Sequence, residues 1–179
     1  MKRRISILVL LLILLFVYSK IKMNQDNPEV LVPLLAKVEN YIPHRDEINP
    51  EVSKADVAWQ LDHILKTINR VTEVLEKSNP DAFKSSISGA RIMSLTAGYI
   101  PRGRAQSPDV VKPPEVIVAK AIYRQLEEAK VNIAKLKELD ENSNFEHFVF
   151  GQLNKAQTIR FMEVHTKHHL KIVDDILNN

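Results

Sequence analysis

The chain has 179 residues, 25 Lys and Arg against 22 Asp and Glu, six histidines and no cysteine. Without thiols, disulfides, iron–sulfur clusters, cysteine zinc sites and lipoprotein acylation are excluded, so any metal chemistry rests on His, Asp and Glu. The net charge of +3 comes from the first 22 residues, which hold Lys2, Arg3, Arg4, Lys20 and Lys22 and no acid; the remainder has 20 basic and 22 acidic residues and offers no basic face to a nucleic acid.

Residues 1–22 read as an N-terminal transmembrane anchor or a signal peptide. An almost unbroken apolar run over 5–18 follows Lys2-Arg3-Arg4. Positive charge stays cytoplasmic, which sends the rest of the chain outward. Val17-Tyr18-Ser19 is the place where a signal peptide would be cut. An uncleaved anchor is the favoured reading, because no Ala-x-Ala site occurs. Extended to Ile21, the run has 17 residues. That is about 25 Å of helix, with Lys20 and Lys22 placed to snorkel. In either case the domain is expected outside the cytoplasm, anchored to the membrane or exported after cleavage.

Residues 23–50 contain Pro28, Pro33, Pro43 and Pro50 and read as a tether with a short helix over 30–41. Residues 51–179 read as one domain, long enough for a real core. A first helix is predicted over 52–77, with Ser53 as N-cap and Asp56 in its first turn. Val57, Leu61, Ile64, Leu65, Ile68, Val71 and Leu75 keep helical spacing, and Trp59 and His63 form an adjoining stripe. A second helix is predicted over 80–97, with Phe83, Ile87, Ala90, Ser94 and Ala97 on one face.

Residues 98–114 form a long connection of Gly, Pro and basic residues, a length often used functionally. Arg102 and Arg104 in it are candidate contacts for an anionic substrate, although solvated loop charge is the plainer reading. A third helix is predicted over 114–141, with Pro near its start. Residues 142–154 read as a turn whose aromatic side chains pack back on the domain. The fourth helix is predicted over 155–177. No segment alternates over strand length. The fold class is therefore all-α, a four-helix bundle preceded by an N-terminal membrane segment.

Three histidines carry the chemistry. His165 and His169 are four residues apart, one above the other on a single helical face. Imidazole suits zinc, nickel, copper and iron. If the first and last helices face each other, His63 joins the pair and coordination positions stay open, as in a catalytic site. The bland alternative for each is a hydrogen-bonded core histidine. His168 is a second candidate on the last helix, as ligand, supporting group or surface residue. His147 is a reserve candidate at the pocket mouth, with loop packing the plainer role. No serine nucleophile motif and no phosphate loop occurs.

The pattern resembles the DinB-like superfamily of metal-binding four-helix bundles. Trp59 and His63 match the Trp-x-x-x-His element of its first helix, and His165 and His169 the His-x-x-x-His of its last. The closest likeness is to an uncharacterised branch, a domain of unknown function with His-Pro-x-Phe-Gly-x-Leu and His-x-x-His-His-Leu motifs. Here these read His147-Phe-Val-Phe150-Gly151-Gln-Leu153 and His165-Thr-Lys-His168-His169-Leu170. Phe148 replaces the usual Pro, and Lys171-Ile172 stands where Arg-Gln is common. The likeness covers about residues 50–178 and includes the basic loop Ile100-Pro-Arg-Gly-Arg104.

The resemblance implies a divalent metal at His63, His165 and His169, with nickel or zinc ahead of manganese or iron. Trp59, His147 and His168 would line the pocket or support the ligands. Characterised members of the superfamily are thiol-dependent transferases and an isomerase. The expected function is thus a metal-dependent enzyme that activates a thiol or water for transfer or hydrolysis of an unknown substrate. The alternative is a non-catalytic extracytoplasmic module that binds metal or ligand. The expected partners are a small-molecule substrate or thiol and the membrane, with a homodimer left open and nucleic acid excluded.

Overall fold

The structure is a computed structural model that describes residues 2–103 and 108–178, with side chains from Ile7 onward. Six α-helices and one small hairpin make up its regular elements among the described residues. They are α1 (Lys2–Met23), α2 (Val32–Tyr41), α3 (Val57–Lys77), α4 (Gly89–Ala97), α5 (Ala119–Glu138), β1 (Asn144–His147), β2 (Gly151–Asn154) and α6 (Lys155–Asn178).

The centre is α3, which packs against both α5 and α6. Its apolar stripe, Leu61, Ile64, Leu65, Ile68 and Leu75, is essentially inaccessible to solvent. Leu126 and Leu136 of α5 and Ile159, Met162 and Val173 of α6 complete that core. A polar seam crosses the α3–α5 contact. Gln125 Nε2 donates to Asp62 Oδ1 (2.6 Å), Asn69 Nδ2 to the Gln125 carbonyl (3.0 Å) and Asn132 Nδ2 to Asn69 Oδ1 (3.0 Å). All four side chains are buried. A slip of α5 along α3 would leave them unsatisfied at roughly 1–3 kcal/mol each, so the seam fixes the register.

The short helix expected over 30–41 is present as a 3-10 turn at Pro28–Leu31 followed by α2. It does more than connect: Leu31, Leu35, Val38 and Ile42 join the core, and α2 packs on α5. Lys37 and Tyr41 both bond Asp174, which ties α2 to α6.

Four sequence expectations are corrected. α3 begins at Val57, where Asp56 rather than Ser53 is the N-cap and accepts from the Trp59 N–H (2.7 Å). The second helix spans only Gly89–Ala97. Pro80–Ala82 is a 3-10 turn, and the chain over 83–88 is irregular, so Phe83 and Ile87 share no helical face with Ala90. Ser88 caps α4 by accepting from the Arg91 N–H, and Gly98 ends it in the left-handed region at φ 66°. α5 begins at Ala119, not at Pro114. The stretch over 142–154 contains an antiparallel hairpin, with Phe145 opposite Leu153 and His147 opposite Gly151. Strands of four residues are too short to show alternation, and Gly151 supplies the positive φ (70°) that the turn requires.

α1 is apolar on all sides: every residue from Ile7 to Tyr18 is about half exposed, while Ser19 and Met23 near its end are buried. No single helix among the described residues is long and apolar enough to cross a membrane. Together with Pro28–His44 the α1 segment passes on length and composition, across a 74° bend. The second half of that pair, however, places Leu31, Leu35 and Ile42 in the protein core.

Leu35→Ala is expected to cost about 2–5 kcal/mol of unfolding free energy. Urea unfolding of the full chain in mild detergent measures it. A loss under about 0.5 kcal/mol would mean that α2 is a surface tether.

Candidate metal centre

α3 and α6 lie side by side, and their facing stripes carry the three histidines predicted as ligands. One ring nitrogen each from His63, His165 and His169 lies within 4.8 Å of the other two, a group that could hold a metal ion. Ring centroids stand 5.0 Å apart for His63–His165, 4.7 Å for His63–His169 and 4.5 Å for His165–His169. Metal–imidazole bonds of about 2.0–2.1 Å set a span of about 4 Å at most between two ligand atoms, so the group has a metal's scale to within an ångström.

Two of the rings are held by hydrogen bonds that settle their tautomers. His63 Nδ1–H donates to the Val111 carbonyl (2.8 Å), and His169 Nδ1–H donates to Gln60 Oε1 (2.7 Å). An oxygen that can only accept puts the proton on Nδ1 and leaves the Nε2 lone pair for a ligand. His165 is held by rings, between His63, His169 and Phe161 (5.4 Å). Trp59 stacks on His63 at 4.9 Å and 28°, and reaches His169 at 6.2 Å.

Burial holds all three imidazoles in the neutral form that a ligand needs. It lowers the pKa of His63, against the Val111 bond and the Asp62 charge, which favour the cation. It drives His165 and His169 well below the ordinary value, and repulsion among the neighbouring histidines adds to this.

Val111 belongs to a 3-10 turn, Asp109–Val111, that lies across α3. Lys66 holds the same turn by donating to the Lys112 carbonyl (3.3 Å), and pairs with the buried Asp62 carboxylate (2.7 Å). The two acids adjoining the ligand candidates in sequence are thus engaged elsewhere. Asp62 binds Gln125 and Lys66, and Glu163 binds Arg160 (2.7 Å) and Lys167 (2.5 Å). The groups that orient the imidazoles are Gln60 and a backbone carbonyl, neither of which sequence reasoning singled out. Gln60 adjoins Trp59 on a helix, which is a weak signal; a carbonyl contributed by a distant turn leaves none.

The other candidates fall around this group. His168 is half-buried, with its ring edge-on to His169 at 5.0 Å, and stands outside the three-histidine cluster. Burial lowers its pKa, with Arg102 nearby adding to the effect. Arg102 lines the cavity and pairs with Asp175 (2.5 Å), so a substrate anion would compete with a carboxylate. Arg104 lies outside the described residues.

His147 organises the hairpin and also lines the cavity. Its Nδ1 accepts from the Val149 N–H (3.1 Å) and the Phe150 N–H (3.2 Å), and its ring stacks on Phe148 and Phe150. Burial pushes its pKa down to about 4. Arg91, itself buried, fastens the hairpin to α4 by donating to the Gln152 carbonyl (2.8 Å), and it also donates to the Ser86 carbonyl in the segment before α4.

A cavity of about 960 Å³ opens onto the histidines, lined by α3, α4, α6, the hairpin turn and residues of the segments 100–103 and 108–111. Comparison with family models, with curated proteins and with solved structures found no match for the chain.

The His147 pKa has a testable consequence. Below about pH 6.5 the unfolded imidazole takes up a proton, while the folded one stays neutral down to about 4. Its contribution to stability is therefore undiminished above 6.5 and falls as the pH drops towards 4. His147→Asn is expected to be less stable at pH 8 by about 1–3 kcal/mol, from the two backbone donors it releases. Between pH 8 and pH 5 that gap should close by about 2 kcal/mol. Urea unfolding across this range checks it; a gap independent of pH would show that His147 titrates normally.

Proposed function

We propose that the chain is a divalent-metal-binding helical protein of the DinB-like kind, with nickel or zinc, or else manganese or iron, at His63, His165 and His169. The observation that carries this reading is the convergence of three neutral imidazoles, two of them with Nδ1–H committed to fixed acceptors. The order and spacing of the histidine motifs support the family, and the packing of α3 against both α5 and α6 is compatible with the helical bundle it calls for.

We further propose that the protein is a metal-dependent enzyme acting by transfer or hydrolysis. A bound divalent ion would supply Lewis acidity to a thiol or water at its open positions. The chain's own residues do the rest. Val111 and Gln60 orient His63 and His169, and Trp59 shields one face of His63. A second reading, a binder without turnover, is favoured by one observation: the acids beside the ligands, Asp62 and Glu163, are both tied up in other pairs. Turnover of a thiol-reactive electrophile or an ester, lost on chelation, would reject it. The exposed apolar surface of α1 and its basic start support a location at the membrane with the domain outside the cytoplasm.

Elemental analysis of the full chain, purified without chelator or tag histidines, is expected to find about one metal ion per chain and none in His165→Ala, with helix content unchanged. Gln60→Leu should keep the site but weaken metal affinity about 10–100-fold. Full occupancy in His165→Ala, or no metal in the parent after incubation with nickel, zinc, manganese and iron, would overturn the assignment.

A further inference from the structure

The cavity beside the histidines is far larger than a metal and a water require. At about 960 Å³ it stands at the upper end of the roughly 300–1,000 Å³ typical of small-molecule sites. The imidazoles occupy one part of its wall. Much of the rest is aliphatic or aromatic: Val71 and Val74 of α3, Met93 of α4, Ile100, Val110 and Phe148. Three of these are left open to solvent, with Met93 74 %, Val110 71 % and Phe148 61 % exposed. Single exposed apolar residues are ordinary, but several around one cavity mark a binding surface.

We propose that this cavity binds a single-chain amphiphile, its alkyl tail against the apolar wall and its polar head at the three histidines. Only the head contact rests on the metal reading above. The placement of α1 points to the same class of ligand. α1 packs against α4, the helix that brings Met93 to the cavity, and presents apolar side chains to its surroundings from Ile7 to Tyr18. A ligand that partitions into the phase favoured by α1 therefore arrives beside the cavity.

Trp59 is the chain's one tryptophan and lines this cavity, so its fluorescence reports occupancy with or without a metal. The full chain in phosphatidylcholine vesicles would be titrated with n-alkyl hydroxamates of two to eight carbons. Free concentrations are corrected against protein-free vesicles, and metal content is measured on the same sample. Each buried methylene contributes about 0.8 kcal/mol, so the dissociation constant should fall about three- to fourfold per added carbon. Met93→Glu should weaken the eight-carbon probe about tenfold or more and leave the two-carbon probe within about twofold. An affinity independent of chain length in a metal-loaded chain would overturn the amphiphile and leave the metal centre standing. A steep series in a chain that takes up no metal would support the apolar occupant and overturn the metal centre.

Discussion

Packing three imidazoles between two helix faces, with His63 and His169 buried, is costly unless their nitrogens find partners, and much of this structure meets that requirement. Each ring has two nitrogens, and at least one must be a donor. The Val111 carbonyl and Gln60 Oε1 take the Nδ1 protons of His63 and His169. Two lone pairs then remain in a desolvated space, where their protonation is disfavoured. A metal ion is the partner that such a set of neutral donors suits.

Holding that geometry requires more than the ligands. The 109–111 turn must stay against α3 to present its carbonyl, and Lys66 holds it there while neutralising Asp62. The register of α3 is in turn locked to α5 by the Asp62–Gln125–Asn69–Asn132 seam. α6 is joined to α2 through Asp174 and to α4 through Arg160, which donates to the Leu95 carbonyl (2.9 Å). The hairpin, pinned by His147 and Arg91, closes one side of the cavity. Polar groups thus fix the elements around the site, while the cavity wall they leave is mainly apolar. That division gives the site its character: rigid, neutral donors at one place and a wide greasy surface beside it.

Much of this was legible in the sequence. The apolar stripes of α3 and α6 have strong helical periods, so both elements and the shared face of His165 and His169 could be read directly. The short packing helix near residue 35 was also readable from its prolines and apolar spacing. The signal failed where local chemistry overrode the pattern. Asp56 outcompeted Ser53 as a cap because its carboxylate reaches the Trp59 N–H. Residues 83–88 kept a helix-like apolar spacing but begin after a proline-led 3-10 turn and end at the Ser88 cap, which starts the helix late. The hairpin strands were shorter than one alternation can reveal.

By itself, the sequence determined that the chain is mainly helical, that it has no thiol ligands, and which histidines share a face, because all three depend on composition or on contacts within one helix turn. The tertiary structure alone decided that His63 meets that pair across some hundred residues, that Gln60 and a carbonyl from a separate turn orient the rings, and that a cavity of this size lies beside them. These depend on how α3 and α6 pack across the fold and on a backbone carbonyl that every residue carries, which contacts within one helix turn do not fix.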